Sequence, residues 1–362
     1  MLALKHFRDT HPGLADLLNY AALIDYGVIQ GKDGSLCVGW FYRGQDSASS
    51  TDAEREWISG HVNRALSRLG SGWATWQEAI KMPASGYPPV EASAFPDPVS
   101  RLVDDERRRQ FNRAGAHYDT AYALLALYTP PLRQKGRLID MMYDDEPDEV
   151  TEPASRILDG LAKACAEIED TLGDAVRIRR MGSIIITDGY GRDHLQDELV
   201  NYLQFAITGL HMGLNLPPGG AYDSVLGGLE FWPGDTPRIG DKFIAWVSIE
   251  GFPPESYPGM LDVLDHLPVP YRWSNRTIYL DQHEALTELH RYRRKWKQKI
   301  RGFWSQVFKT QGSVVNEDAV LMTSETEDAI ARTSSGLVGT GYFTSVVVLM
   351  DEDRAALMEL LD

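Results

Sequence analysis

The densest cluster of chemically capable side chains is His290-Arg-Tyr-Arg-Arg-Lys-Trp-Lys-Gln-Lys-Ile-Arg301. Residues 291–301 hold seven cations, Arg291, Arg293, Arg294, Lys295, Lys297, Lys299 and Arg301, and no acid. Leu286, Leu289, Trp296, Ile300, Phe303 and Val307 recur at spacings of three and four. A helix with that spacing carries one apolar stripe with a basic face around it. Its plain structural reading is a surface helix whose stripe packs on a sheet. Its chemical reading is anion binding. Lipid headgroups or an acidic partner come first. Nucleic acid follows, with Trp296 and Phe303 as stacking groups.

Catalytic patterns are sparse. A phosphate loop of the GxxxxGK[ST] type needs a Gly-Lys pair followed by Ser or Thr, and the one such pair, Gly31-Lys32, is followed by Asp33. Gly336-Leu-Val-Gly-Thr-Gly341 is glycine-rich, but it reads as following a helix and preceding a strand. A dinucleotide loop runs the other way, because the phosphate sits on a helix N-terminus. GxSxG and HExxH are absent. Cys37, next to Val38 in a strand-like run, reads as a small core residue rather than a thiolate. Asp281, His283, Glu284 and Glu288 gather at a helix start, where the helix dipole explains the acids. His194 precedes Asp197 and Glu198 at apparent helical spacing, without the three or four convergent ligands of a metal site. No catalytic, cofactor-binding or metal residue is assigned.

These groups sit on a chain of 362 residues with 36 Lys and Arg against 52 Asp and Glu, a formal charge of −16. At 43% hydrophobic and 24% charged residues the chain is globular, with length for two or three domains. The acidity repels phosphates over most of the surface and disfavours broad wrapping by nucleic acid. Two distant cysteines, Cys37 and Cys165, suit a reducing cytosol and argue against a disulfide framework. The N-terminus turns charged within a few residues and has no apolar signal-peptide core. The longest stretch without Asp, Glu, Lys or Arg, 199–222, is broken by Asn201, His211 and Pro217-Pro-Gly-Gly220 and does not read as a spanning helix.

The elements that position these residues follow from periodicity. Two β-rich runs, 26–30 and 36–42, flank a Gly/Asp turn and predict a hairpin. Thr51 and Glu54 form a capping box for a helix reaching Leu69. Further strands are expected at 73–82, 118–129, 177–187, 243–249, 271–280 and 342–350. Further helices are expected from Pro98 and at 155–172, 193–208, 258–267, 282–309 and 317–332. Residues 217–241 read as a long loop with one short strand. Asp144-Asp-Glu-Pro-Asp-Glu149 reads as a solvated linker. The division is then 1–145 as an N-terminal α+β subdomain, 146–240 as a helix-rich connecting region, and 241–362 as a ferredoxin-like α+β region. The fold class is α+β, with mixed sheets and helices packed on them. A last helix begins near Asp351 with no C-terminal cap and no element to pack on, so the chain is expected to stop inside a larger protein.

Several ordered segments carry a resemblance. They are Asn19-Tyr-Ala-Ala-Leu23, Lys32-Asp-Gly-Ser35, Leu69-Gly-Ser-Gly-Trp73, Phe95-Pro-Asp-Pro-Val99 and Asp105-Glu-Arg-Arg-Arg109. They continue with Gly251-Phe-Pro-Pro-Glu-Ser-Tyr-Pro-Gly259, Tyr271-Arg-Trp-Ser274, Arg291-Tyr-Arg-Arg-Lys-Trp296 and Ser335-Gly-Leu337. Together they resemble the N-terminal region of the VirB4/TrbE-type ATPases of type IV secretion and conjugative transfer, TrbE branch. The resemblance implies a non-catalytic α+β region, peripheral at the cytoplasmic face of a bacterial inner membrane. It implies contacts with other secretion subunits, including a small inner-membrane protein, and homo-oligomers, often hexamers. ATP and magnesium belong to a C-terminal RecA-like motor domain, none of whose Walker residues has a counterpart here. Two other classes stay open on the residues: a nucleic-acid-binding module built on the basic helix, and a self-standing enzyme using the 217–220 loop and the nine tryptophans.

Overall fold

The computed structural model describes residues 12–45, 50–84, 86–114, 117–131, 152–215, 222–249, 259–307, 317–336 and 338–361. The acidic stretch 144–149, the loop 217–220 and most of the 251–259 segment lie outside the described residues.

Short polar side chains start the fold. After a one-turn helix α1 (Leu14–Leu17) come β1 (Tyr20–Asp25), β2 (Val28–Gly31) and β3 (Leu36–Arg43). The Asp33 carboxylate accepts from the Ser35 amide at 3.0 Å and the Ser35 hydroxyl at 2.6 Å, which closes the expected β2–β3 turn. The capping box also forms. Thr51 Oγ1 accepts from the Glu54 amide at 3.3 Å and the Thr51 amide donates to Glu54 at 2.7 Å, opening α2 (Asp52–Leu66). Then come β4 (Trp73–Pro83), α3 (Pro98–Ala114), β5 (Tyr118–Tyr128) and α4 (Glu152–Gly173).

The next region departs from expectation twice. The strand expected over 177–187 is two strands, β6 (Arg177–Arg180) and β7 (Ser183–Thr187). Met181 breaks it: its side chain turns into the core and its amide donates to the Gly39 carbonyl at 2.9 Å. The helix expected from residue 193 starts late. Residues Asp193–Asp197 form β8, paired with β7, and α5 covers Glu198–Thr208. Asp197 is its N-cap, accepting from the Val200 amide at 2.9 Å and the Gly27 amide at 2.6 Å. His194 therefore sits in a strand, and its spacing to Asp197 is not helical.

A short helix α6 (Asp223–Leu226) and two-residue strands β9 (Phe231–Trp232) and β10 (Arg238–Ile239) punctuate the 217–241 loop. Beyond them lie β11 (Lys242–Ile249), β12 (Tyr271–Leu280), α7 (Gln282–Val307), α8 (Glu317–Ser334), β13 (Thr340–Asp351) and α9 (Arg354–Glu359). The helix expected at 258–267 is a 3-10 turn, Asp262–His266. The buried Lys81 ammonium ties it down, donating to the carbonyls of Asp265 and Leu267 at 2.6 Å each. The last helix does have something to pack on. Asp353 caps α9 through the Ala355 amide at 2.8 Å, and Leu357 is fully buried beside Ala245, Val347 and Leu349.

Eleven of the described strands form one sheet, ordered β1-β2-β3-β5-β4-β12-β13-β11-β10-β9, with β6 paired to β3. Every described pair is antiparallel, so the expected mixed sheets are replaced by one antiparallel sheet and the β7–β8 ribbon. The reason is topological. β5 inserts between β3 and β4, and β13 inserts between β11 and β12, which separates the strands that run parallel. The order is also symmetric. β1 to β5 and β9 to β13 occupy matching places about a pseudo-two-fold at the β4–β12 seam, where Glu78 faces Ser274.

Alternation sends side chains to two layers. On one face α2 and α4 cover Leu36, Val38 and the fully buried Trp40, while α9 covers the C-terminal half. On the other face α5 lays Leu199, Val200 and Leu203 over Ile29, Cys37 and Leu125. Gly39 permits that approach. A Cβ there would stand 2.8 Å from Met181 Sδ and 3.0 Å from Leu199 Cδ1. Gly39→Val is expected to lower unfolding free energy by about 1–3 kcal/mol in urea titration through overpacking.

Candidate docking surface

The basic helix is real, and its root is fixed by short polar contacts. Asp281 precedes α7 and accepts from the Glu284 amide at 2.8 Å. That amide, more than any other group, holds the Asp281 carboxyl below the usual carboxylate range. The Asp281 amide donates to Ser71 Oγ at 2.8 Å, and the Ser71 hydroxyl donates to the Glu284 carboxylate. Gln282 Nε2 donates to the carbonyls of Thr333 and Ser334 at 3.1 and 2.9 Å, joining the start of α7 to the end of α8. Asp281→Ala is expected to speed amide exchange in the first turn of α7 about five-fold. The cap acts at neutral pH and is lost as pH falls through the lowered folded-state pKa, so the wild type should approach the variant's exchange in acid.

From this root α7 runs for 26 residues, about 39 Å. Ala285 is buried and Leu286 and Leu289 are partly buried, which places the expected stripe inward at the start of the helix. Arg291, Arg294 and Lys295 are exposed, and Arg293 is partly buried. The Arg291 guanidinium lies 3.5 Å from the Glu288 carboxylate, and Lys295 Nζ lies 5.4 Å from the Tyr292 ring centre. Lys297, Lys299 and Arg301 fall within the helix, and their side chains lie outside the described residues.

The neighbour of α7 is what the sequence reading missed. α8 packs along it. It carries Glu317, Asp318, Glu325, Glu327 and Asp328 against one cation, Arg332, while α7 carries seven cations against Glu284 and Glu288. The two helices form a pair of opposite charge by sequence, and Arg291, Arg294 and Lys295 stay exposed. The acidic bias of 317–328 was visible in the sequence. Its placement beside α7 was not.

The other candidate groups have structural partners. Asp281 and Glu284 serve the α7 root. His194 is held by Asp188 Oδ2 at 3.0 Å and Asn215 Nδ2 at 3.1 Å. Burial pushes the Cys37 thiol up to about 12 and the Cys165 thiol to about 11, so neither supplies a thiolate near neutral pH. Among the described residues no three His, Cys, Asp or Glu side chains gather as metal ligands, and no helix is long and apolar enough to cross a membrane.

Residues 27–136, from the β1–β2 turn to just past β5, match the family described as type IV secretion system ATPase VirB4/TrbE, N-terminal domain. Residues 187–361, from the end of β7 through α9, match the CagE, TrbE, VirB family, component of type IV transporter system. The chain is 42% identical over 360 residues to the conjugal transfer protein TrbE of Rhizobium radiobacter, covering 99% of this chain and 44% of that protein. It is also similar to two proteins of Sinorhizobium fredii (strain NBRC 101917 / NGR234), named as the first and second pieces of a probable conjugal transfer protein TrbE. The first piece is 47% identical over 135 residues, which is 37% of this chain and 91% of that protein. The second piece is 44% identical over 197 residues, 54% of this chain and 30% of that protein. The chain thus spans less than half the length of the Rhizobium relative. With both family matches on one continuous sheet and near-complete coverage by that relative, the chain belongs to the TrbE/VirB4 family of conjugal transfer and type IV secretion components.

Proposed function

We propose that these 362 residues are the non-catalytic assembly and docking region of a conjugative transfer ATPase of this family. The region sits peripherally at the cytoplasmic face of a bacterial inner membrane. It contacts other secretion subunits, including a small inner-membrane protein, and it self-associates. ATP and magnesium are handled by a RecA-like motor outside these residues, and the 241–362 region, with β13 between β11 and β12, is taken as a ferredoxin-like layer.

The observation that carries the proposal is the exposed trio Arg291, Arg294 and Lys295 on a long helix pinned at its root. In a chain of net charge −16, a local cationic face marks where an anionic surface is met. The family's relation to transport supports a membrane-side location for that surface. Co-sedimentation of the protein with vesicles made with and without anionic lipid tests it. Recovery that requires the anionic lipid and falls with salt is the expected result, and equal recovery with both vesicles removes the helix from the proposal.

A further inference from the structure

α5 does not lie flat on its sheet. Between them runs a slot of about 640 Å³, with the exposed Leu17 and Ile278 at its rim. Register explains the floor. Cys37, Leu127, Ala74 and Ile278 form one row across β3, β5, β4 and β12, and Leu125, Trp76 and Arg276 form the next. All of them line the slot, with Leu203 and Ile207 of α5 above. From Gly72 to Glu78 the slot is about 20 Å long, at about 3.3 Å per residue.

The inner end is polar and closed. Glu78 is 2% exposed there and Tyr202 is 6% exposed. Three buried atoms meet the slot without an aligned hydrogen bond from any described residue: Glu78 Oε2, Arg272 Nε and the Tyr202 hydroxyl. The Tyr202 hydroxyl lies next to the Glu78 carboxylate, and Glu78 Oε2 is 2.7 Å from Arg272 Nε, yet neither contact is aligned. Arg272 shuts this end by reaching from the floor to the Ala206 carbonyl of α5.

Buried polar atoms left in this way are costly and call for a partner. Water alone is a poor one. At about 30 Å³ per molecule the slot would take about twenty waters, and its apolar walls offer them no bonds. The ion pair restricts what else fits. Glu78 and Arg272 cancel each other's charge, so a charged group set between them would be buried without a counter-charge. A hydroxyl or a carboxamide both donates and accepts, and it adds no charge. Arg276 brings a cation to the floor, but it is exposed and hydrated. The closed end excludes a polypeptide that runs on through the slot.

We propose that the slot between α5 and the sheet binds an uncharged amphiphile. Its alcohol or carboxamide head meets Glu78, Tyr202 and Arg272, and its aliphatic body lies along Trp76, Leu125 and Leu127 toward the rim. The site is independent of the basic face of α7, so each stands or falls alone.

Calorimetric titration of the full chain with decanol, decanoate and decylammonium, which share one chain length, tests the site. Decanol is expected to bind saturably and roughly 10-fold or more tighter than either ion. Tyr202→Phe removes only a hydroxyl that makes no aligned bond, so the urea midpoint should hold while decanol binding weakens about 2- to 10-fold. Ala74→Phe fills the floor and should abolish binding. Tyr202→Phe decides alone if Ala74→Phe does not fold. No saturable heat from decanol marks a slot filled by water and overturns the proposal. Decanol binding that is unchanged by the substitutions, or equal affinity for the three probes, overturns the site. Tighter binding of either ion overturns the uncharged head.

Discussion

Reversing Arg291, Arg294 and Lys295 to Glu is expected to cut recovery with anionic vesicles by about two orders of magnitude. Each cation near an anionic leaflet contributes about 1 kcal/mol. Three lost cations remove about 3 kcal/mol at about 1.4 kcal/mol per decade, before the added repulsion counts. The fold should tolerate the change. All three side chains are exposed, and the described ion pair that is broken, Arg291 with Glu288, is of the surface kind worth about 0–1 kcal/mol. Circular dichroism and urea midpoints should match the wild type. Binding should also decline with salt, because screening at physiological ionic strength acts over about 8 Å. Unchanged recovery in the triple variant at matched folding sinks the membrane reading. Binding to single-stranded DNA with a steep salt slope, lost in the same variant, would transfer the face to nucleic acid.

Arg272→Ala is expected to destabilise the chain by about 3 kcal/mol. Arg272 lies at the seam. Its Nε stands 2.7 Å from Glu78 Oε2, an ion contact rather than an aligned hydrogen bond, and its Nη1 donates to the Ala206 carbonyl at the end of α5. Glu78 is 2% exposed, and its other oxygen accepts from Ser274 Oγ at 2.7 Å. Removing the guanidinium leaves a buried carboxylate without its counter-charge, the case that costs about 3–5 kcal/mol. The side chain of Arg272 is about a quarter exposed, so the lower end applies. The double variant Glu78→Gln with Arg272→Met should recover a large part of the loss, since it removes both charges together. Urea titration of the two single variants and the double variant measures this. A loss below about 1 kcal/mol for Arg272→Ala would show that solvent reaches Glu78 and that the seam is not held by this pair.

Local chemistry was legible in the sequence where one residue decides a conformation. Thr51 with Glu54 fixed the start of α2, and the Gly31-to-Ser35 turn fixed the β2–β3 register, because the deciding groups lie within a few residues of each other. The same kind of signal was available at Asp197, a good N-cap followed by Leu199, Val200 and Leu203. The apolar run was instead extended back through 193–197, which is strand. Met181 shows the limit of periodicity, since nothing local says that its side chain turns inward beside Gly39. For the candidate surface the cations were legible one by one. The acidic α8 beside them was not, because the spacing within one helix does not say which face of the next helix packs along it. The sheet order is the extreme case, as β4 and β12 meet from opposite ends of the sequence.

That meeting has a consequence for synthesis. Thr75 pairs with Thr277, and Ala74 with Ile278. When β4 leaves the ribosome its inner side joins β5 soon after, but its other edge awaits a partner translated roughly 200 residues later. At about 5–20 residues per second, that edge stands open for about 10–40 s. A nascent chain in that interval carries an unpaired ladder of amides and carbonyls, the template on which wrong strands add. Translation speed between β5 and β12, and any chaperone that shelters an edge strand, therefore bear directly on the yield of folded protein.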